Sequence, residues 1–279
     1  MERSFTKMKN LSSRVTSALI ALSVLIAAIY YGRELGIYFL ALFVVIRGSF
    51  EIARLFFNET YPKFARGLLV FLATGIFLLI SQEMFLAMSG ILMIFSFVLV
   101  TCIGIIFHKH FKDPDQVLSF VAKTCLGLVY ICFIPATVVW TVQTNNGIEW
   151  FLCLLAVVFA GDIGAYIFGV NFGKTKIAPQ ISPNKSLQGA LGGLIFSTLT
   201  AILFSFILPN TPFYVLAICG LLGGLLGQIG DFFESLIKRV SGVKDSGSIM
   251  PGHGGILDRL DGVLLSAPLF YLAAMYYSL

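Results

Sequence analysis

The sequence predicts an all-α, polytopic integral membrane protein with about nine transmembrane helices and a cytoplasmic N-terminus. Three observations carry that expectation. Of 279 residues, 58% are hydrophobic and only 12% charged, with a mean hydropathy of +0.92. A soluble domain carries about 25% charged residues, and a water-soluble core cannot hide this much apolar surface. Second, the apolar residues fall into runs long enough to cross a bilayer, which takes about 20 residues per helix. Third, lysines and arginines alternate in density between successive connections, as the positive-inside rule requires.

Taken in order, the runs cover roughly 15–31, 35–57, 67–81, 84–107, 117–140, 148–170, 188–208, 212–237 and 262–278. The first has no Ala-x-Ala-like cleavage end and reads as a retained helix. With nine spans, 15 of the 19 basic residues lie on the inward side. The tail holds Arg3, Lys7, Lys9 and Arg14, and later inward segments hold Lys63, Arg66, Lys109, Lys112, Lys174, Lys176 and Lys185. Lys238, Arg239, Lys244 and Arg259 complete the set. The outward connections hold only Arg33, while Arg47, Arg54 and Lys123 lie within spans. Residues 1–145 thus form an N-terminal group of about five spans, and 146–279 a C-terminal catalytic region with two cytoplasmic motif loops.

The N-terminal group offers little chemistry. His108 and His110 flank Lys109 in an inward loop and read as part of a basic, solvated surface. Glu51 lies between Arg47 and Arg54, at helical spacings that predict mutual neutralisation. The five cysteines all sit within apolar runs and form no CxxC pair; they read as small apolar residues. Nothing points to nucleic acid.

The C-terminal half places polar residues at membrane depth, where they are costly unless used. Asp162 lies inside its span, close to Gly161, Ala165 and Gly169, whose spacing favours close helix packing. The following loop presents Lys174, Lys176 and Lys185 with the hydroxyls of Ser182 and Ser186, and Ser186 is placed to cap the next helix. Lysines, hydroxyls and a helix N-terminus suit a phosphate-rich ligand.

A second cluster is denser. Asp231, Glu234, Ser235 and Lys238 share one helix face. The loop after it carries Lys244, Asp245, several glycines and His253, then Asp258, Arg259 and Asp261. Asp231, Asp245, Asp258 and Asp261 are hard oxygen ligands of the kind magnesium prefers. Glycines around His253 let backbone amides approach an anion. Carboxylates for a metal, cations for phosphate and no activated Ser or Cys nucleophile suggest metal-assisted phosphoryl or nucleotidyl transfer. Gly220, Gly223, Gly224, Gly227 and Gly230 form small-residue spacings that suit packing within the chain and are compatible with a homodimer.

The run Ser235-x-x-Lys238-Arg239-x4-Lys244-Asp245-x-Gly247, then Pro251-Gly252-His253-Gly254-Gly255-x-x-Asp258-Arg259-x-Asp261, closely resembles the signature of phosphatidate cytidylyltransferases, also called CDP-diacylglycerol synthases. The stretch from Asp162 through Lys174 to Ser182-Pro183-x-Lys185-Ser186-x-Gln188-Gly189 is similar to that family as well. The resemblance covers the C-terminal half.

It implies that phosphatidate attacks the α-phosphorus of CTP to give CDP-diacylglycerol and pyrophosphate, with Mg2+ at Asp231 and Asp258 and room for a second cation. On that basis Lys174, Lys185, Lys238 and Arg239 would hold the triphosphate or the lipid headgroup. Lys244 and Arg259 would neutralise pyrophosphate, Asp162 would line the cavity, and His253 would contact phosphate or support its loop. CTP comes from the cytoplasm and phosphatidate from the leaflet, so the site is expected at the cytoplasmic face of a bacterial-type inner membrane. Two other readings stay open on the residues: a CTP-dependent lipid kinase that transfers the γ-phosphate, and an ion-coupled transporter using Asp162, Asp231 and Glu234.

Overall fold

The computed structural model describes residues 16–82, 87–249 and 254–277. Its long apolar segments are helical, because a backbone without water must satisfy its polar groups within its own helix, and one short β-hairpin lies between two of them. Among the described residues, eight helical runs are long and apolar enough to cross a membrane. In chain order the helices are α1 (16–27), α2 (Arg33–Phe56), α3 (Lys63–Ile80), α4 (Ser89–Ile106) and α5 (Pro114–Leu128). They continue with α6 (Ile134–Val142), α7 (Gly147–Phe172), α8 (Leu187–Leu203), α9 (Phe213–Val240) and α10 (Leu257–Tyr277). A π-helical segment, Val129–Phe133, joins α5 to α6 in one apolar run.

The count of eight differs from the expected nine at the N-terminus. There α1 and α2 form one unbroken run of 41 residues, Thr16–Phe56. As a straight helix it would be about 60 Å long, twice the hydrocarbon thickness. It is not straight. A π-helical turn over Ala28–Gly32 ends at Arg33, whose φ is 47°, and Gly36 packs against the carbonyl of Ala28. In a straight helix those residues stand about 12 Å apart, so the chain bends back sharply where the sequence separates its first two spans.

The chain divides into two compact units. The first contains residues 1–136 together with 245–257; the second contains 137–244 and 258–279. In the first unit, Phe57, Phe64, Phe111 and Phe120 form an aromatic cluster. Lys123, a charge inside an apolar run, donates to the carbonyl of Phe56 and to the Tyr61 hydroxyl, each at 3.0 Å. Arg66 Nε donates to the carbonyl of Phe57 at 2.6 Å. Both cations therefore cap the C-terminal end of α2, where the helix dipole is negative. His108 and His110 are exposed, and each turns Nδ1 to a backbone carbonyl of its own segment.

In the second unit the packing is built from small residues. A Cβ on Gly164 would lie 2.7 Å from the carbonyl oxygen of Gly192, and one on Gly193 would lie 2.9 Å from that of Gly161. Helices α7 and α8 meet backbone to backbone. The Ser197 hydroxyl donates to the Val157 carbonyl at 2.9 Å, Gln228 Nε2 to the Ala190 carbonyl at 3.0 Å, and the Ser266 hydroxyl to the Gly223 carbonyl at 2.8 Å. Such interhelical bonds replace the hydrophobic drive that lipid removes. The glycine face of α9 is taken up inside the unit, Gly220 and Gly224 against Ser197 and Gly223 against Phe270. The opposite face of α8 is apolar and exposed at Leu187, Leu191, Ile195, Leu199 and Leu203, as a lipid-facing stripe should be.

Candidate active site

Within the second unit, α7, α9 and α10 enclose a cavity of about 290 Å3 lined by Phe159, Asp162, Asp231, Glu234, Lys238, Asp258, Arg259 and Asp261. Helical periodicity puts Asp231, Glu234 and Lys238 on one face of α9. The same rule sets Asp258 and Asp261 together in the first turn of α10. Gly230 brings the two helices into contact beside the acids, because its α-carbon lies against the carbonyl of Asp261 and a side chain there would collide with it. Helix α9 ends just past Lys238 and Arg239. Gly242, at φ 70°, donates to the Arg239 carbonyl, and Val243 to that of Lys238, a glycine-terminated helix end.

The charges are paired in a definite pattern. Lys238 Nζ lies 2.6 Å from Glu234 Oε2 and 2.6 Å from Asp258 Oδ1, so one ammonium joins α9 to the start of α10. Lys185 forms an ion pair with Asp231 and stands 4.2 Å from the centre of the Phe232 ring. Glu234 is 1% exposed, and its Oε1 has no hydrogen-bond partner among the described residues. Five carboxylates face three cations here, counting Lys185, so two negative charges remain when all are ionised. A carboxylate excess of that kind is met either by protonation or by a further cation.

Lys185 reaches the acids from a two-stranded antiparallel hairpin, β1 (Lys176–Ala178) and β2 (Ser182–Ser186), within what the sequence shows only as a loop. The Ser186 hydroxyl accepts from Gly189 N at 3.2 Å and caps α8, as expected from its position. Gln188 Oε1 accepts from the backbone amides of Lys174 and Thr175 at 3.0 and 3.2 Å, which fixes the entry to the hairpin. Arg239 Nε donates to the Ile181 carbonyl at 3.2 Å, tying the hairpin to the end of α9.

Of the residues singled out from the sequence, Asp162, Asp231, Lys238, Asp258, Arg259 and Asp261 line one cavity, and Lys185 is paired into it. Ser182 begins β2, and Lys174 and Lys244 are exposed. Asp245 is exposed and belongs to the first unit. His253 lies outside the described residues. No three His, Cys, Asp or Glu side chains converge on one point among the described residues; lysines are interposed instead. The carboxylate excess and the unpartnered Glu234 oxygen nevertheless fit a hard divalent cation.

Two residues escaped assignment from the sequence. Glu234 is visible in the acidic stripe, three residues from Asp231, but had a role only in the transporter reading. Glu51 was expected to pair with Arg47 and Arg54. Both arginines are exposed, while Glu51 is 6% exposed and binds the loop ahead of α10. Helical spacing alone could not show this, since the partners are 195 to 206 residues away.

A profile of the cytidylyltransferase family matches residues 12–277. A phosphatidate cytidylyltransferase of Mycobacterium bovis is 45% identical over 127 residues, which is 45% of this chain and 41% of that protein. One from Staphylococcus haemolyticus is 45% identical over 126 residues, 45% of this chain and 48% of the relative. One from Bacillus subtilis is 41% identical over 133 residues, 47% and 49% of the two chains. The aligned part thus spans about half the length of the relatives, or somewhat less.

Proposed function

The chain belongs to the cytidylyltransferase family, and from that premise we propose that it transfers CMP from CTP to phosphatidate, giving CDP-diacylglycerol and pyrophosphate. The observation that carries this reading is the cavity of five carboxylates with Lys238 and Arg259, set among helices long enough to span a membrane. A water-soluble nucleotide and a membrane lipid can meet in such a place. The positive-inside distribution supports a mouth on the cytoplasmic side.

In the reaction, a phosphate oxygen of phosphatidate forms a bond to the α-phosphorus of CTP, the bond from that phosphorus to the bridging oxygen breaks, and pyrophosphate leaves. A phosphate monoester has a second pKa of about 6, so the nucleophile needs no dedicated base. Lys185 and Lys238, held by carboxylates without ligand, turn to phosphate oxygens when CTP enters. Lys174 and Arg239, at the hairpin and the end of α9, add to the charge that holds triphosphate or headgroup. Arg259 and Lys244 neutralise pyrophosphate as it departs, and Asp162 keeps the cavity polar.

Asp231, Asp258 and Asp261 are the residues that would hold Mg2+. When bound, Mg2+ offsets the negative charge that develops on the phosphates during displacement.

The test uses purified full-length protein in detergent, CTP labelled at the α-phosphorus, and phosphatidate. Label should enter lipid with wild type, and Asp231→Asn and Asp258→Asn should each lose roughly 100-fold or more while remaining folded. Transfer of the γ-phosphorus, or no transfer from well-folded wild type in several detergents and lipids, would overturn the assignment. The first outcome would identify a lipid kinase.

A further inference from the structure

The carboxylate of Glu51 sits in the last turns of α2, well away in sequence from every motif that the reaction explains. Its Oε1 accepts from Ile256 N at 3.0 Å. Its Oε2 accepts from Leu257 N at 3.0 Å and from the Ser246 hydroxyl at 3.1 Å. Three donors therefore converge on one buried side chain, from both ends of the loop that precedes α10. Two of them are backbone amides at the N-terminus of α10, which have no partner inside their own helix. A carboxylate is well suited to that position, since it meets the positive end of the helix dipole.

The loop's glycines fit the same arrangement. A Cβ on Gly247 would lie 2.6 Å from Glu51 Oε1, and one on Gly255 would run into Oε2 and the Ser246 hydroxyl. Both glycines thus serve close approach to this carboxylate, where for Gly255 the sequence alone suggested approach to an anionic ligand. The residue after Leu257 is Asp258, which Lys238 holds at 2.6 Å.

We propose that Glu51 is a positioning residue for catalysis: it cross-links the two ends of the 245–257 loop and caps α10, fixing where Asp258 and Arg259 begin. The proposal rests on the cytidylyl-transfer reading for its effect on rate, and on the hydrogen bonds alone for its effect on the loop. Glutamine cannot substitute. It offers one acceptor oxygen where two are used, and it turns an N–H2 group toward donors.

Two measurements on the full chain in detergent decide the matter. In hydrogen exchange, Glu51→Gln should speed exchange of peptides covering 244–257 by about tenfold or more, while peptides of α8 keep their wild-type rates. In steady-state assays, kcat per folded molecule should fall by roughly tenfold to 100-fold with KM for CTP within about threefold. Ser246→Ala, which removes one donor of three, should move both readouts in the same direction by less, and it stands in if Glu51→Gln fails to fold. A variant with lowered thermal stability but unchanged kcat per folded molecule would reduce Glu51 to a structural role and overturn the proposal. Unchanged loop exchange would do the same. If wild type makes no CDP-diacylglycerol, the reaction reading fails, yet faster loop exchange in Glu51→Gln would still uphold the cross-link.

Discussion

Lys238 touches Glu234 and Asp258 at once, so its removal leaves two carboxylates facing each other in a poorly solvated pocket. Lys238→Met is expected to cost about 3 kcal/mol of stability, read as a lower thermal midpoint in detergent. It should also lower cytidylyl transfer. Lys238→Arg should restore little of either, because a planar guanidinium does not replace a compact ammonium lodged between two acids. At this scale the sequence was informative about chemistry and silent about pairing. Asp231, Lys238, Asp258 and Asp261 stand out because charges are rare at membrane depth. That Lys185 meets Asp231, and that Glu51 meets Ile256 and Leu257, depends on tertiary contacts that spacing along one helix cannot encode.

Helices α7 and α8 are held by what they lack. Gly164→Val would push a side chain against the Gly192 carbonyl and the Phe196 ring, and it is expected to cost about 1–3 kcal/mol or more, measured by thermal unfolding in detergent. Ser186→Ala, which removes the cap of α8, should cost about 1 kcal/mol and leave the rest of the unit intact. An apolar change on the outward stripe, such as Leu191→Ile, should have little effect by the same measurement. The helices themselves were legible because apolar length is a strong signal. The β1–β2 hairpin was not, since three- and five-residue strands in a basic loop carry no periodicity. Nor was the continuous Thr16–Phe56 run, where hydropathy separates two spans but cannot tell a loop from a sharp bend within helical backbone.

Across the whole molecule, the distribution of Lys and Arg sets a direction that can be checked. In a variant without its five cysteines, Val243→Cys should react with an impermeant thiol reagent only after the cell membrane is opened, and Arg33→Cys should react in intact spheroplasts. The reverse pattern would invert the topology and place the cavity mouth on the wrong side for CTP. Residues 245–257 belong to the first unit, where Ser246, Ile256 and Leu257 donate to Glu51.

That attachment also has a consequence in time. A ribosome makes about 5–20 residues per second, so Glu51 enters the membrane roughly 10–40 s before Ile256 and Leu257 exist. During that interval the nascent protein carries an acid without these partners, and only synthesis of the loop supplies them. A product ending at Val240 would keep that unmet acid permanently and is expected to be cleared from cells faster than the same fragment carrying Glu51→Gln, as pulse-chase labelling would show. The later-made loop thus covers an acid on an earlier-made helix.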